Sequence, residues 1–124
     1  MKKILLIEDN ESHIMLFTQD LQQADFQVEV IKKLPLDPSD ADFQALVARS
    51  AEFDIIVWDA DMFVAGKTLM TFNGHIQEFA KIFKGPMIAN SSVPTCRERQ
   101  MAAGCTHELT RKDPEKLVEL LKGL

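Results

Sequence analysis

Tyrosine is absent from this chain, tryptophan occurs once and cysteine only twice in 124 residues. Cys96 and Cys105, nine positions apart, match no metal-ligand spacing and are expected as reduced thiols of a cytoplasmic protein. No apolar run approaches the ~20 residues of a membrane span. Only four apolar residues separate Lys2-Lys3 from Glu8, too few for a secretory signal. Lysine and arginine are not clustered and the net charge is −5, which argues against a nucleic-acid surface because phosphate contacts need concentrated positive charge. There is no internal repeat, linker or low-complexity stretch. Residues 1–124 are therefore expected to form one domain, with the 46% hydrophobic and 27% charged composition of an ordinary globular protein.

What is present is an alternation of short apolar runs and helical stripes. Phe53-Asp54-Ile55-Ile56-Val57-Trp58-Asp59 reads as a strand buried on both faces that ends in a carboxylate. Lys3 to Ile7 reads as a second such strand, ending in Glu8-Asp9. Asn10 or Ser12 can cap a helix with the stripe Ile14, Phe17, Leu21 and Ala24. Phe26, Val28 and Val30 alternate with polar residues, as in a half-exposed strand near a sheet edge. Pro35 and Pro38 make 33–40 a loop, and Ser39 or Asp40 starts a helix with Phe43, Leu46 and Val47. After a loop from Ala60 to about Gly66, the spacing of Leu69, Phe72, Ile76, Phe79 and Phe83 predicts a long helix, weakened locally by Asn73-Gly74. Pro86 to Asn90 is a fourth strand, Pro94 opens a helix stopped by Gly104, and Thr106 to Thr110 is a weak fifth strand. Asp113-Pro114 begins a last helix lined by Leu117, Leu120, Leu121 and Leu124. The expectation is an α/β fold: a single doubly wound, five-stranded parallel sheet with five helices, a three-layer sandwich.

In such a sheet ligands meet the carboxyl ends of the strands. If strands one and three are neighbours, Glu8, Asp9 and Asp59 converge there. Three close carboxylates repel one another, and a divalent cation is the common remedy. Oxygen-only ligands with open positions suit Mg²⁺, beside which a carboxylate can act as a nucleophile toward phosphorus.

On these residues the chain resembles the receiver domains of bacterial two-component response regulators, which have a flavodoxin-like fold. Ile4 to Asn10 is similar to the family's first strand and acidic pair. Asp54 to Asp59 is similar to its phosphoacceptor strand, Pro86 to Ser91 to its fourth strand with a hydroxyl residue, and Ala102-Ala103-Gly104 to its small-residue turn. The resemblance covers almost the whole chain. It implies Asp59 as phosphoacceptor, with Glu8, Asp9, Asp59 and the backbone carbonyl of Asp61 as Mg²⁺ ligands and Ser91 on a phosphoryl oxygen. It also implies a histidine kinase or histidine phosphotransfer protein as donor and a downstream protein target. Neither nucleic acid nor membrane would be contacted by this domain. The domain would not be an enzyme in the ordinary sense, any catalysis being of its own phosphoryl transfer and dephosphorylation.

Several positions depart from the family pattern. Its Lys-Pro pair is replaced by Arg111-Lys112: Arg111 is the cation by alignment, Lys112 if the loop slips by one. Glu108 stands where the family carries its aromatic switch, and Met62-Phe63 where Met-Pro is usual. A degenerate receiver that binds a partner without phosphorylation is the alternative. Asp59-Ala60-Asp61 also resembles the nucleophile motif of haloacid-dehalogenase-type phosphatases, but that motif belongs on the first strand, and the chain is too short for the cap. A flavodoxin's Ser/Thr/Gly-rich phosphate loop is missing after strand one. Of the histidines, His13 lies one turn from the acidic pair and could edge the site; a solvated helix position is its ordinary explanation.

Overall fold

The computed structural model describes every residue except Ala60, Ala65, Gly66, Lys67 and Arg111; for Asp61–Val64 and Thr68–Thr71 it describes the backbone alone. Five strands form one parallel sheet: β1 (Lys3–Ile7), β2 (Gln27–Ile31), β3 (Ile55–Trp58), β6 (Met87–Asn90) and β7 (His107–Leu109), in the order β2-β1-β3-β6-β7. The other two, β4 (Asp61–Val64) and β5 (Thr68–Thr71), lie outside it. The half-polar β2 lies at an edge, as its alternating pattern predicts. β3, apolar throughout, and β1, apolar from Ile4 to Ile7, lie inside.

Strand alternation divides the core in two. Leu5, Ile7, Ile56, Trp58, Met87 and Ala89 point to the face covered by helices α2 (Ala41–Ala48) and α3 (Asn73–Ala80), where Phe43, Phe72, Ile76 and Phe79 meet them. Ile4, Leu6, Ile55, Val57, Ile88 and Leu109 point to the other face, against Phe17 and Leu21 of α1 (Glu11–Gln23) and Leu117 and Leu121 of α5 (Pro114–Lys122). This is the three-layer sandwich expected from the sequence, and both faces of the sheet are dry because parallel strands need cover on each side.

The caps are those the sequence marks. Asn10, Asp40 and Asp113 each accept a backbone N–H of the first turn, from His13, Asp42 and Glu115 respectively. Helix α4 (Pro94–Ala103) ends at Gly104, whose φ of +138° and position, with an added Cβ falling 2.7 Å from the Ala80 Cβ, exclude a side chain there.

The segment after β3 differs from the expectation. The long helix through Leu69 to Phe83 is not formed: α3 covers only Asn73–Ala80, and Leu69 belongs to a strand. β4, within the expected loop, pairs antiparallel with β5 as a hairpin. The physical reason lies in composition. Thr68-Leu69-Met70-Thr71 is an apolar pair with β-branched ends, which suits a pleat, and Asn73-Gly74, weak inside a helix, sits in its first turn instead. Phe72 and Phe83 flank the helix and remain buried in the same core.

Phe79 is fully buried, with edge-on contacts to Phe43 and Trp58 at centroid separations of 5.6 Å. Phe79→Ala is expected to lower unfolding free energy by about 3–5 kcal/mol in urea titration, while exposed Met15→Ala stays within about 0.5 kcal/mol. Glu29 gives a pH test. Hydrogen bonds from Arg49, at 2.9 and 3.1 Å, and then its charge and that of Lys3, outweigh partial burial and hold the carboxyl below the ordinary 4.5. The folded value lies below the unfolded one, so this stabilisation is present above 4.5 and is lost as pH falls through the depressed value. Arg49→Ala should flatten that acid limb in urea titrations run across pH, and only slightly, the pair being largely solvated.

Candidate functional site

The register of the central strands brings the acids together. Ile7 pairs with Trp58 across β1 and β3, and the Asp59 N–H donates to the Ile7 carbonyl at 2.9 Å. Glu8 and Asp59 are each the next residue along, so their side chains leave neighbouring strand ends on the same face, that of α1 and α5. Both are buried, at 1% and 6% exposure. Asp9 joins them: one carboxylate oxygen from each of Glu8, Asp9 and Asp59 lies within 4.8 Å of the others.

The counter-charge comes from the chain between β7 and α5. Lys112 Nζ stands 2.7 Å from Glu8 Oε2 and 2.7 Å from Asp59 Oδ1. Asp113 caps α5 and Pro114 fills its first position, so Lys112 is held immediately before a fixed helix start. Burial by itself works to lower the pKa of this ammonium, but the charge of Asp59, hydrogen bonds to Asp59 and Glu8 and the charge of Glu8 outweigh it and raise the pKa. Of the two cations expected for this role, Lys112 is thus on the acids, while Arg111 lies outside the described residues. β7 ends at Leu109 and Asp113 caps α5, so Lys112 is the last residue before the helix cap.

Ser91 is buried one strand over, just past β6, and its hydroxyl oxygen accepts the Val93 N–H at 3.1 Å. Asp61 opens β4, and its side chain is outside the description. His13 lies with Nδ1 3.7 Å from Glu8 Oε1, on the rim as its helical position suggests. Cys96 and Cys105 stand as thiols rather than as a disulfide, and burial pushes the Cys105 thiol up to about 12, which makes it inert at neutral pH.

Two polar side chains of α4 were not foreseen. Gln100, 1% exposed, donates from Nε2 to the carbonyls of Asp59 at 2.9 Å and Trp58 at 3.3 Å. Arg97 donates from Nη1 to the carbonyls of Ser91 at 2.8 Å and Thr110 at 3.4 Å. In the sequence they are two ordinary polar residues of a polar helix, and nothing in their spacing signals burial.

The donor set suits a hard divalent cation. Three carboxylates supply oxygen alone, and Lys112 cancels one of their charges, leaving two for an ion to neutralise. No helix among the described residues is long and apolar enough to cross a membrane.

No protein-family model matches the chain, and no curated protein matches it in sequence. Solved structures do match, over nearly its full length. The chemotaxis response regulator CheY4 of Vibrio cholerae is 26% identical, with 99% of this chain and 98% of that one covered at a TM-score of 0.68. A two-component response regulator from Clostridium difficile is 11% identical over 99% and 94%, at 0.73. The BeF3-activated receiver domain of DrrB, from Thermotoga maritima, is 16% identical over 99% and 96%, at 0.72. These neighbours are response regulators and their receiver domains, and the chain has the CheY-like receiver fold.

Removing Lys112 tests the electrostatics of the cluster. Lys112→Met should destabilise by about 3–5 kcal/mol in urea titration, because it leaves buried carboxylates without their counter-charge. Added Mg²⁺ should recover part of that loss, whereas exposed Lys116→Met should change stability by less than about 0.5 kcal/mol.

Proposed function

We propose that the chain is a phosphoacceptor signalling domain of a two-component phosphorelay, taking a phosphoryl group on Asp59 in a Mg²⁺-dependent reaction. The donor is a histidine kinase or histidine phosphotransfer protein, and the output is an altered contact with a downstream protein target. The domain works in the cytoplasm, without direct contact to nucleic acid or membrane, and turns over no separate substrate. The observation that carries this reading is the Asp59 carboxylate, buried at the end of β3 against Lys112 and beside Glu8 and Asp9.

Glu8, Asp9 and Asp59 would hold Mg²⁺ through carboxylate oxygens, with the Asp61 carbonyl as a further ligand. When bound, the ion neutralises charge on both the attacking carboxylate and the incoming phosphoryl group. An Asp59 oxygen attacks phosphorus of a phosphohistidine. The new O–P bond forms as the N–P bond breaks, and the leaving imidazole nitrogen keeps the electron pair and takes a proton from solvent. Lys112 already touches Asp59 and follows the charge as it moves onto the phosphoryl oxygens. Ser91 accepts the Val93 N–H through its oxygen, which leaves its own proton free for a phosphoryl oxygen. Arg111 is the second candidate cation for that group.

A second reading, a degenerate receiver that binds its partner without phosphorylation, has its own supporting observation. Lys112 already lies against both Glu8 and Asp59, and Glu108 is exposed where the family's switch ring would be. The two readings separate experimentally. With acetyl phosphate and Mg²⁺, intact-mass measurement should show a base-labile phosphoryl adduct that disappears on chelation and in Asp59→Asn. Labelling that survives in Asp59→Asn would refute the acceptor assignment. No labelling, together with no change in Trp58 fluorescence on adding Mg²⁺ and beryllofluoride, would favour the degenerate reading.

A further inference from the structure

Helix α4 is attached to the sheet in an unusual way for this molecule. Helix α1 buries Ile14, Phe17 and Leu21 and α3 buries Ile76 and Phe79, but the buried residues of α4 are Gln100 and Ala103. Met101 adds partial apolar contact. Apart from its packing on α3, α4 is anchored to the sheet by Gln100 and Arg97, one turn apart. Between them they reach four backbone carbonyls at the carboxyl ends of three adjacent strands: Trp58 and Asp59 at the end of β3, Ser91 after β6 and Thr110 after β7.

Each of those strand ends also carries a group of the site. The Asp59 carbonyl belongs to the residue whose carboxylate meets Lys112, Ser91 supplies both its carbonyl and its hydroxyl, and Thr110 lies two residues before Lys112. Gln100 makes both of its contacts through one nitrogen, while its Oε1 is buried without a partner. Rotating the amide would set an acceptor against two carbonyls, so the direction of donation is fixed by its surroundings. A buried polar group satisfied on one side only is sensitive to small changes in backbone position.

We infer that Gln100, assisted by Arg97, is the positioning residue that couples Asp59 to α4, so that a change of charge on Asp59 alters the placement of α4 through backbone carbonyls. No aromatic ring is needed for this connection, which suits a chain without tyrosine. The inference rests on Asp59 being the acceptor and adds the route by which its state leaves the site. A coupling element must have two arrangements that the site biases differently. A helix whose hold on the sheet is a set of directional bonds offers such an element, since those bonds are lost or regained one by one.

The test uses the full chain with Mg²⁺ and beryllofluoride as the phosphoryl mimic, followed by amide and side-chain amide NMR. In the unmodified chain, signals of Asp59, the Gln100 side-chain NH₂ and residues 100–103 should shift together as the probe is added. Gln100→Met keeps length and volume but removes the donor. It should still show the response at Asp59, with the shifts of 100–103 reduced at least about threefold. Shifts of 100–103 as large as in the unmodified chain would overturn the coupling. If Gln100→Met does not fold, the unmodified chain still decides. A Gln100 NH₂ signal that stays fixed while Asp59 responds refutes the inference, and one that titrates with Asp59 supports it. A chain in which Asp59 itself does not respond loses the acceptor assignment first, and the coupling falls with it.

Discussion

Two carboxylates side by side in a nearly dry sheet edge are the constraint the rest of this molecule answers to. The register of β1 with β3 sets Glu8 beside Asp59 whatever their charge, and burial leaves water little room to screen them. Lys112 makes that placement tolerable. Its position in turn depends on where β7 stops and where Asp113 caps α5, elements at the far end of the sequence from Glu8. The ion cluster thus ties the first strand, the central strand and the final loop into one electrostatic unit. A buried pair of this kind is weak support for net stability but expensive to break on one side. It fixes arrangement more than it adds free energy, and it keeps three acidic oxygens at one point with two charges still to be neutralised.

The arrangement is available because the apolar packing of the sheet is complete without the strand ends. Ile4 to Ile7 and Ile55 to Trp58 fill both faces so fully that the next residue along each strand is free to be polar. Trp58 is the junction: its ring lies among Phe72 and Phe79 on one face, while its carbonyl is bonded by Gln100 at the strand end. Packing and site chemistry meet at one residue, with the apolar part rigid and the polar part adjustable.

Much of this was legible in the sequence, for identifiable reasons. Buried parallel strands are short continuous apolar runs, helices show 3.6-residue stripes, and Asn10, Asp40, Asp113 and Gly104 mark ends by local chemistry alone. The convergence of Glu8, Asp9 and Asp59 followed from assuming β1 and β3 to be neighbours, which they are. Failures came where the signal was not local. Leu69 fits a helical stripe with Phe72, Ile76 and Phe79, yet it lies in β5, because an apolar residue every third or fourth position also arises by chance across a hairpin and a helix. Gln100 and Arg97 were invisible, since a polar residue that satisfies strand-end carbonyls looks, in sequence, like one that faces solvent.

That last failure has a physical basis that bears on how the molecule can move. An apolar face adheres in proportion to area and tolerates small sliding, so helices held that way respond to a local perturbation by minor repacking. Hydrogen bonds from two side chains to four carbonyls are different: each has a short range and a preferred direction, and each is either made or not. The same polarity that hides α4's anchoring from hydropathy patterns makes α4 the helix whose seat depends most on the backbone at the strand ends. Those strand ends carry Asp59 and Ser91 and lead into Lys112. The least hydrophobically secured helix is therefore one that meets the site through backbone carbonyls, and both properties come from the same two residues.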